Sequence, residues 1–435
     1  MSARGAKLLV QSLKIISPKR SSRANAGFEG FYPYYAGFPE EFATGLLASA
    51  NLPKNALVYD PWNGSGTTTY SASKLGFGSL GCDINPVMVI VARARLIASS
   101  EADLLEPLAR DIISKAHTSN PLKDDSLNLW FAPTTTQSIR NLEREVRHLL
   151  VGPLSLSRAS IRLDKISSVA AVFYLILFSL CRNLTSPFRS SNPTWLRQPK
   201  TALERLRYER RAILNSFLDA ARAMSRHLAQ SETPCRTSAE IRLADTTSDS
   251  PLVSAVDLVL SSPPYCTRLD YTAATRIELA VIQPLLETSP EDLSRSMTGS
   301  TKVPSRSISP SNEWGATCLS FLDSMYRHPS KASKTYYFRT HLDYFDKMHR
   351  SLAHLSNSLK SDGKAVLVVQ DSHYKDVHND VPKIVAEMLS FRGLDLKRRE
   401  NFHSRNPISR INPYTREYRG QAGGAVESVL CFQKL

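Results

Sequence analysis

Short apolar runs that end in an acid or a turn punctuate the two ends of this chain, and a different rhythm fills its middle. "ALVYD" (Ala56–Asp60) reads as a buried parallel strand closing on an acid. The loop "PWNGSG" follows. Then "TTTYSASKLG" predicts a helix with polar caps and a stop at Gly76. "GSLGCD" (Gly78–Asp83) predicts a second strand, again ending in an acid. Strand, loop, helix, strand, acid is the front half of a doubly wound α/β sheet. Much later "DLVLS" repeats the buried-strand pattern and stops at Ser262-Pro263-Pro264-Tyr265. Two successive prolines cannot continue a central strand, so they mark the sheet's carboxyl edge.

Beyond that point, "YYFRTHLDYFDKMHRSLAHLSNSLKSDGKAVLVVQDS" predicts a long helix, a turn at Asp362-Gly363 and a strand. "VPKIVAEMLSFRGL" predicts a further helix, and "ESVLCFQKL" a final strand. Residues 101–240 show helix-period patterns instead: "EADLLEPLARDIISKAH", "TTTQSIRNLEREVRHLL", the apolar run Val169–Leu180 and "TALERLRYERRAILNSFLDAARAMSRHLAQ".

Charge narrows the partners. The 435 residues carry 55 Lys+Arg against 40 Asp+Glu, a net +15. Such a balance suits an anionic partner, most simply nucleic acid. The six cysteines form no CxxC pair and no zinc-spaced cluster with histidine, which predicts a reduced intracellular protein without a structural metal. Val169–Leu180 is too short to span a bilayer and predicts a buried helix. The N-terminus is basic (Arg4, Lys7, Lys14, Lys19, Arg20, Arg23) and lacks an apolar core with a cleavage site. Residues 1–26 are expected to form a basic flexible arm, either lying on an anionic polymer or simply solvated.

The glycine loop is not a phosphate loop of either common kind. A P-loop needs Gly-Lys-Ser/Thr at the helix start, and here Gly66 is followed by Thr67 and Thr68. The dinucleotide fingerprint lacks its third glycine, since Thr69 stands in that place. Asp60 at the mouth would repel a pyrophosphate but suits a ligand with an ammonium group. S-adenosylmethionine (SAM) meets these terms. Its amino group can face Asp60, and its carboxylate can sit on backbone N–H groups near the helix N-terminus. Gly64 and Gly66 allow close backbone approach. Asp83 can accept the ribose hydroxyls. The candidate cofactor residues are therefore Asp60, Pro61, Trp62, Asn63, Gly64, Ser65, Gly66, Thr67 and Thr68, with Asp83, Ile84 and Asn85 from the second strand end.

Ser262-Pro263-Pro264-Tyr265 suits a particular chemistry. An exocyclic amine on a nucleobase has its lone pair delocalised into the ring and is a poor nucleophile. Acceptors on its two N–H bonds restore the lone pair: the Ser262 hydroxyl, and a proline-held carbonyl, that of Pro263. Tyr265 offers a stacking face. A base within a duplex cannot reach such a pocket unless it is flipped out.

Taken together, the loop and the SSPPY stretch resemble the amino-methyltransferases of DNA, which modify cytosine N4 or adenine N6 in restriction-modification systems. The matching pieces are "DPWNGSGTTT", "GCDINP", "LADTTSDSPL" with Asp245, and "SSPPY"; upstream, "YPYYAGFPEEFATGLL" resembles the segment before the SAM loop in these enzymes. The resemblance covers about residues 30–100 and 240–435. It implies a Rossmann-like SAM-dependent methyltransferase sheet, in pieces 27–100 and 241–435; the mainly helical stretch 101–240, read from its helix-period patterns, interrupts that sheet between its second and third strands, an unusual place for such an insertion. The resemblance places Asp245 near the adenine ring, and Phe38, Pro39 and Glu40 closing over the cofactor. It implies direct transfer of a methyl group without a covalent enzyme intermediate, no metal, a double-stranded DNA partner, a bacterial cytoplasmic setting and, for some members, a cognate restriction or defence nuclease. Ser at the first motif position favours cytosine N4 over adenine N6. An RNA amino-methyltransferase and a catalytically silent DNA-binding relative are the rival readings. The SAM loop precedes SPPY here, whereas many such enzymes carry the permuted order.

The insertion holds "CRNLTSPFRSSNPTWLRQPK", where Arg182, Arg189, Trp195, Arg197 and Lys200, continued by Arg205 on the next segment, mix positive charge with aromatics as DNA contacts do. "SMTGSTKVPSRSISPSNEW" and "RENFHSRNPISRINPYTREYRG" are further candidates for holding the substrate.

Overall fold

The computed structural model describes residues 12–19, 28, 32–33, 37–117, 124–152, 163–190, 196–230, 237, 239–248, 254–267, 270–303, 307–403 and 425–435. Its centre is a seven-stranded sheet. The strands are β1 (Leu57–Asp60), β2 (Gly78–Asp83), β3 (Ala239–Leu243), β4 (Val256–Ser261) and β5 (Leu359–Gln370), then, past the small hairpin β6 (Ser372–Tyr374) and β7 (Val377–Asn379), β8 (Leu394–His403) and β9 (Val426–Lys434). Their order across the sheet is β3-β2-β1-β4-β5-β9-β8. The first five run parallel, β9 runs antiparallel to β5, and β8 antiparallel to β9. Strand order reverses at β1/β4, the switch point where ligands bind in open α/β sheets.

Period-two alternation sorts the sheet's residues between two layers. Ala365, Leu367 and Val369 of β5 join Trp314, Phe345 and Ile384 in one core. Val366 and Val368 join Phe42, Leu46 and Ala72 in the other. The first layer is covered by helices Ala316–Arg327, Phe338–Ser358 and Val381–Ser390, the second by Glu40–Ser49 and Thr67–Leu75. β8, "LDLKRRENFH", is mostly charged and polar, buries only Leu394 fully, and was not anticipated. It is an edge strand, and charged side chains on an edge discourage pairing with another chain.

The insertion between β2 and β3 supplies helices Ala102–Lys115, Pro133–Val146, Ser168–Leu184 and Arg210–Ala229. Helix Pro86–Ala94 packs between them and the sheet. Its Val89 and Ala92 pack against Ile241 of β3, while Val87, Met88, Ile90 and Val91 face Phe173, Phe178 and Trp130 of the insertion. A helix apolar on every side must be enclosed on every side. The same holds for Ala170–Phe178, where every residue is buried. Among the described residues, no helix is long and apolar enough to cross a membrane, and no His/Cys/Asp/Glu group has the makings of a metal site. Cys82, Cys181, Cys266, Cys318 and Cys431 are buried and unpaired.

Candidate active site

The two segments singled out by sequence meet at the carboxyl edge of adjacent strands. β1 and β4 lie side by side, with Val58 beside Leu258 and Tyr59 beside Val259. That pairing brings Asp60 and Ser261 together, although 201 residues separate them. The Ser261 hydroxyl donates to Asp60 Oδ1 at 2.5 Å, and the Trp62 N–H donates to the same oxygen at 3.1 Å. Burial pushes the Asp60 carboxyl up to about 6, against the opposing pull of Ser261, Thr68 and Trp62. Ser261 is a site residue that sequence reading passed over in favour of its neighbour. Its signal was its place as the last residue of a strand beside an acid-ended one.

The glycine loop is held from below and behind. The Gly64 N–H donates to Asp83 Oδ2 at 2.8 Å, and the Asn85 N–H to Asp83 Oδ1 at 2.8 Å. Burial raises Asp83 to about 6, while these N–H groups draw it down. Gly66 adopts φ +81, and a Cβ there would stand 2.8 Å from the Ala92 Cβ. The loop therefore needs glycine for its left-handed turn and for its approach to helix Pro86–Ala94. Asn63 donates its N–H to Cys82 O at 2.9 Å and accepts the Thr69 hydroxyl at 3.2 Å, while its side chain lies flat over Gly81. Asn63 Nδ2 is buried with no protein partner among the described residues. Helix Thr67–Leu75 starts with Gly66 as its N-cap and no capping side chain, which leaves its first amides for a ligand. Pro61, Ser65, Thr67 and Thr68 are buried around this turn, and Trp62 and Ile84 half-buried beside it. Asp245 follows β3, and its carboxylate takes the Thr247 N–H at 2.8 Å. An ammonium-bearing, carboxylate-bearing nucleoside fits this set: a buried acid, unused helix-start amides and a second acid braced by backbone N–H groups.

Phe38, Pro39 and Glu40 support the loop from its flank. Phe38 is buried against Phe42 with ring centres 5.0 Å apart, and Pro39 is the N-cap of helix Glu40–Ser49. Glu40 pairs with Lys74 at 2.8 Å and Arg95 at 3.1 Å, and Arg95 donates to the Thr67 hydroxyl at 3.1 Å.

SSPPY sits on the other side of Asp60. The Ser262 hydroxyl donates to Val368 O of β5 at 3.2 Å, so its lone pairs point away from that bond. The Pro264 carbonyl accepts the Tyr344 hydroxyl at 2.9 Å. The Tyr265 N–H donates to the Tyr271 hydroxyl at 3.3 Å, and the Tyr265 hydroxyl donates to Glu427 of β9. Burial, then the Glu427 charge, lifts the Tyr265 phenol well above its ordinary value. A buried Lys347, paired with Asp343 at 2.8 Å, donates to the carbonyls of Arg295 and Met297 and so ties down the segment that crosses behind Tyr265. Tyr344 and Glu427 are distant in sequence, and nothing local marked them; Tyr271, six residues beyond Tyr265, was passed over.

The basic residues of the insertion separate into two groups. Arg182 turns inward: it pairs with the buried Glu278, donates to Tyr32 Oη at 2.9 Å and to Pro33 O at 3.2 Å, and lies 4.2 Å over the Tyr32 ring. Arg189, Arg197 and Lys200 are exposed and Arg205 is half-buried. Trp195 lies outside the described residues, as do Arg4, Lys7, Arg20, Arg23 and most of the basic stretch at 404–424.

No protein-family profile matches the chain. Over 277 residues it is 24% identical to the Type II methyltransferase M.BsoBI of Geobacillus stearothermophilus, an alignment covering 59% of this chain and 53% of that protein. The chain thus spans about half the length of this curated relative. Two solved structures align with a TM-score of 0.30 each. One is a SAM-dependent methyltransferase from Methanosarcina mazei, 9% identical, covering 89% of this chain and 97% of that one. The other is the rRNA methyltransferase aviRa from Streptomyces viridochromogenes, 12% identical, covering 95% and 94%. The strand order, not these two alignments, establishes the fold.

Proposed function

We propose that this protein is a SAM-dependent amino-methyltransferase acting on N4 of a cytosine flipped out of DNA. The observation that carries the reading is the Ser261–Asp60 contact. It seats a glycine loop built for an ammonium-bearing nucleoside directly beside a Ser-Pro-Pro-Tyr turn built to hold an amine. The similarity to a Type II methyltransferase and the net charge of +15 support a DNA substrate.

The residues divide the work. Asp60, the amides opening helix Thr67–Leu75, and Asp83 hold the cofactor by its amino, carboxylate and ribose groups. When bound, S-adenosylmethionine supplies a methyl group on a sulfonium and leaves as the neutral thioether. Ser262 has its proton committed to Val368 O, so its oxygen accepts one N–H of the target amine. The Pro264 carbonyl is taken by Tyr344, which leaves the second N–H to the Pro263 carbonyl. With both N–H bonds held, the lone pair turns out of the ring and towards the methyl group. The nitrogen–carbon bond forms as the carbon–sulfur bond breaks, and the amine then sheds a proton to solvent. Tyr265 stacks on the base. Positioning and lone-pair alignment carry the rate.

The test is methyl transfer from labelled SAM to cytosine-containing and cytosine-free duplexes, with mass spectrometry of the product nucleosides and Tyr265→Ala as control. N4-methylcytosine that disappears in the variant supports the reading. N6-methyladenine keeps the mechanism and overturns the base. SAM binding with transfer to RNA alone overturns the DNA substrate.

A further inference from the structure

The direction of helix Ser168–Leu184 decides where the next loop emerges. Near its start, the Asp164 carbonyl accepts the Arg93 guanidinium from the last turn of helix Pro86–Ala94. Near its end, Arg182 pairs with Glu278, one turn beyond Thr275. The Thr275 hydroxyl accepts Asn85 Nδ2 at 3.0 Å, and Asn85 caps the start of helix Pro86–Ala94 and donates its N–H to Asp83. The two helices are therefore antiparallel. The first starts at the carboxyl edge of β2, so the second ends there, and the loop that follows, described at 185–190 and 196–209, leaves from the edge that carries Asp83, Asp60 and Ser262.

This loop is braced. Tyr208 Oη donates to Leu184 O at 2.8 Å, and Leu206 exchanges backbone hydrogen bonds with Trp130 O and Ala132 N at 2.9 Å each. Trp130 Nε1 donates to Arg197 O at 3.2 Å, and Arg197 N to Phe188 O at 2.9 Å. At its tip, the Glu204 carboxylate takes the Lys200 N–H at 3.1 Å and pairs with Arg197 at 3.8 Å, closing a tight turn at Ala202–Glu204. On that turn Leu203 is 93% exposed. Arg197, Lys200, Arg205 and Arg207 flank it along the chain, with Glu204 as the one acid from 197 to 207. Among the described residues, no acidic side chain pairs with Lys200, Arg205 or Arg207.

An apolar side chain presented on a braced turn inside a cationic loop fits a polyanion with an apolar interior, which is a nucleic acid duplex. We propose that this loop straddles the DNA backbone with Arg197, Lys200, Arg205 and Arg207, and that Leu203 enters the base stack to fill the space a flipped base vacates. The proposal rests on the DNA-methyltransferase reading above.

The experiment compares wild type, Leu203→Ala and Arg205→Ala/Arg207→Ala on two forms of the mapped target duplex, one fully paired and one with the target base opposite an abasic site. Methylation rate, thermal melting and the fluorescence of 2-aminopurine at the target position are read for each. Leu203→Ala should lose on the order of tenfold to a hundredfold in kcat/KM on the paired duplex, with a weaker fluorescence rise. On the abasic duplex, where the base is already unstacked, it should come back to within about twofold of wild type. Melting should not change, because the side chain is exposed. The double arginine variant should weaken both duplexes alike and flatten the salt dependence. Equal activity of Leu203→Ala and wild type on the paired duplex, or equal loss on both duplexes, overturns the wedge and leaves the functional reading standing. Failure of wild type to methylate any DNA overturns the functional reading itself.

Discussion

The Tyr265 hydroxyl donates to the carboxylate of Glu427, which stands opposite Gln370 where β9 pairs with β5. An aromatic ring proposed to stack on the substrate is thus aimed by a strand 162 residues away. Burial holds the Glu427 carboxyl above its ordinary value, with Tyr265 and Lys19 opposing. Glu427→Ala should leave SAM affinity unchanged and lower kcat by about tenfold to a hundredfold through a misplaced ring. Glu427→Gln keeps an acceptor for the phenol and should recover most of the rate. Steady-state kinetics beside SAM titration checks this, and wild-type kcat in the alanine variant would sink the idea.

If Asp60 receives the amino group of the cofactor as proposed, cofactor binding should depend on pH. Its carboxyl rises from an ordinary 3.8 to about 6 because it is buried. For an acid raised by folding, the stabilising contribution is fully present below the unfolded value and is lost as pH climbs through about 6. The ligand-free protein at neutral pH therefore carries an ionised buried acid at a cost of about 3 kcal/mol at most. An ammonium group beside it removes that cost. SAM should raise the melting temperature more at pH 7.5 than at pH 5, and its affinity should weaken by up to about tenfold per pH unit below 6. Calorimetric affinities that stay level from pH 5 to 8 would rule out Asp60 as the partner of the amino group.

Gly81 has no room for a side chain beside Asn63, because a Cβ at position 81 would fall inside the amide of Asn63. Gly81→Ala should displace Asn63, loosen its bond to Cys82 O and weaken SAM by about tenfold, with 1–3 kcal/mol of lost stability from overpacking. Binding isotherms and melting curves read both effects.

Arg182 offers a contrast with the exposed loop beyond it. Arg182→Ala leaves the buried Glu278 carboxylate without its cation, so it should destabilise the fold by about 3–5 kcal/mol. Arg182→Ala together with Glu278→Leu should restore much of that loss. A single variant that melts like wild type would contradict the pairing.

Local chemistry made much of the site legible. Asp60, the Gly64-Ser65-Gly66 turn, Asp83 and SSPPY each sit at a strand end, where a short apolar run stops on a polar residue, and a period of two announces such strands without knowledge of their neighbours. β8 escaped because an edge strand buries little, so charged and polar residues fill it and no apolar period announces it. Arg182 and Arg197 share a basic, aromatic-rich segment, yet one is drawn inward by Glu278 and the other lies exposed over Phe188. Charge in sequence cannot distinguish them.

By itself, then, the sequence determined which residue types stand at the ends of β1, β2 and β4, because those depend on backbone period and on turn chemistry within a few residues. Only the tertiary structure decided that β1 lies against β4, so that Ser261 grips Asp60, and that Tyr344, Tyr271 and Glu427 fix the proline turn from three other elements. Those contacts join positions six to more than two hundred residues apart. They arise when the two faces of the sheet are buried, and burial is a property of the whole chain.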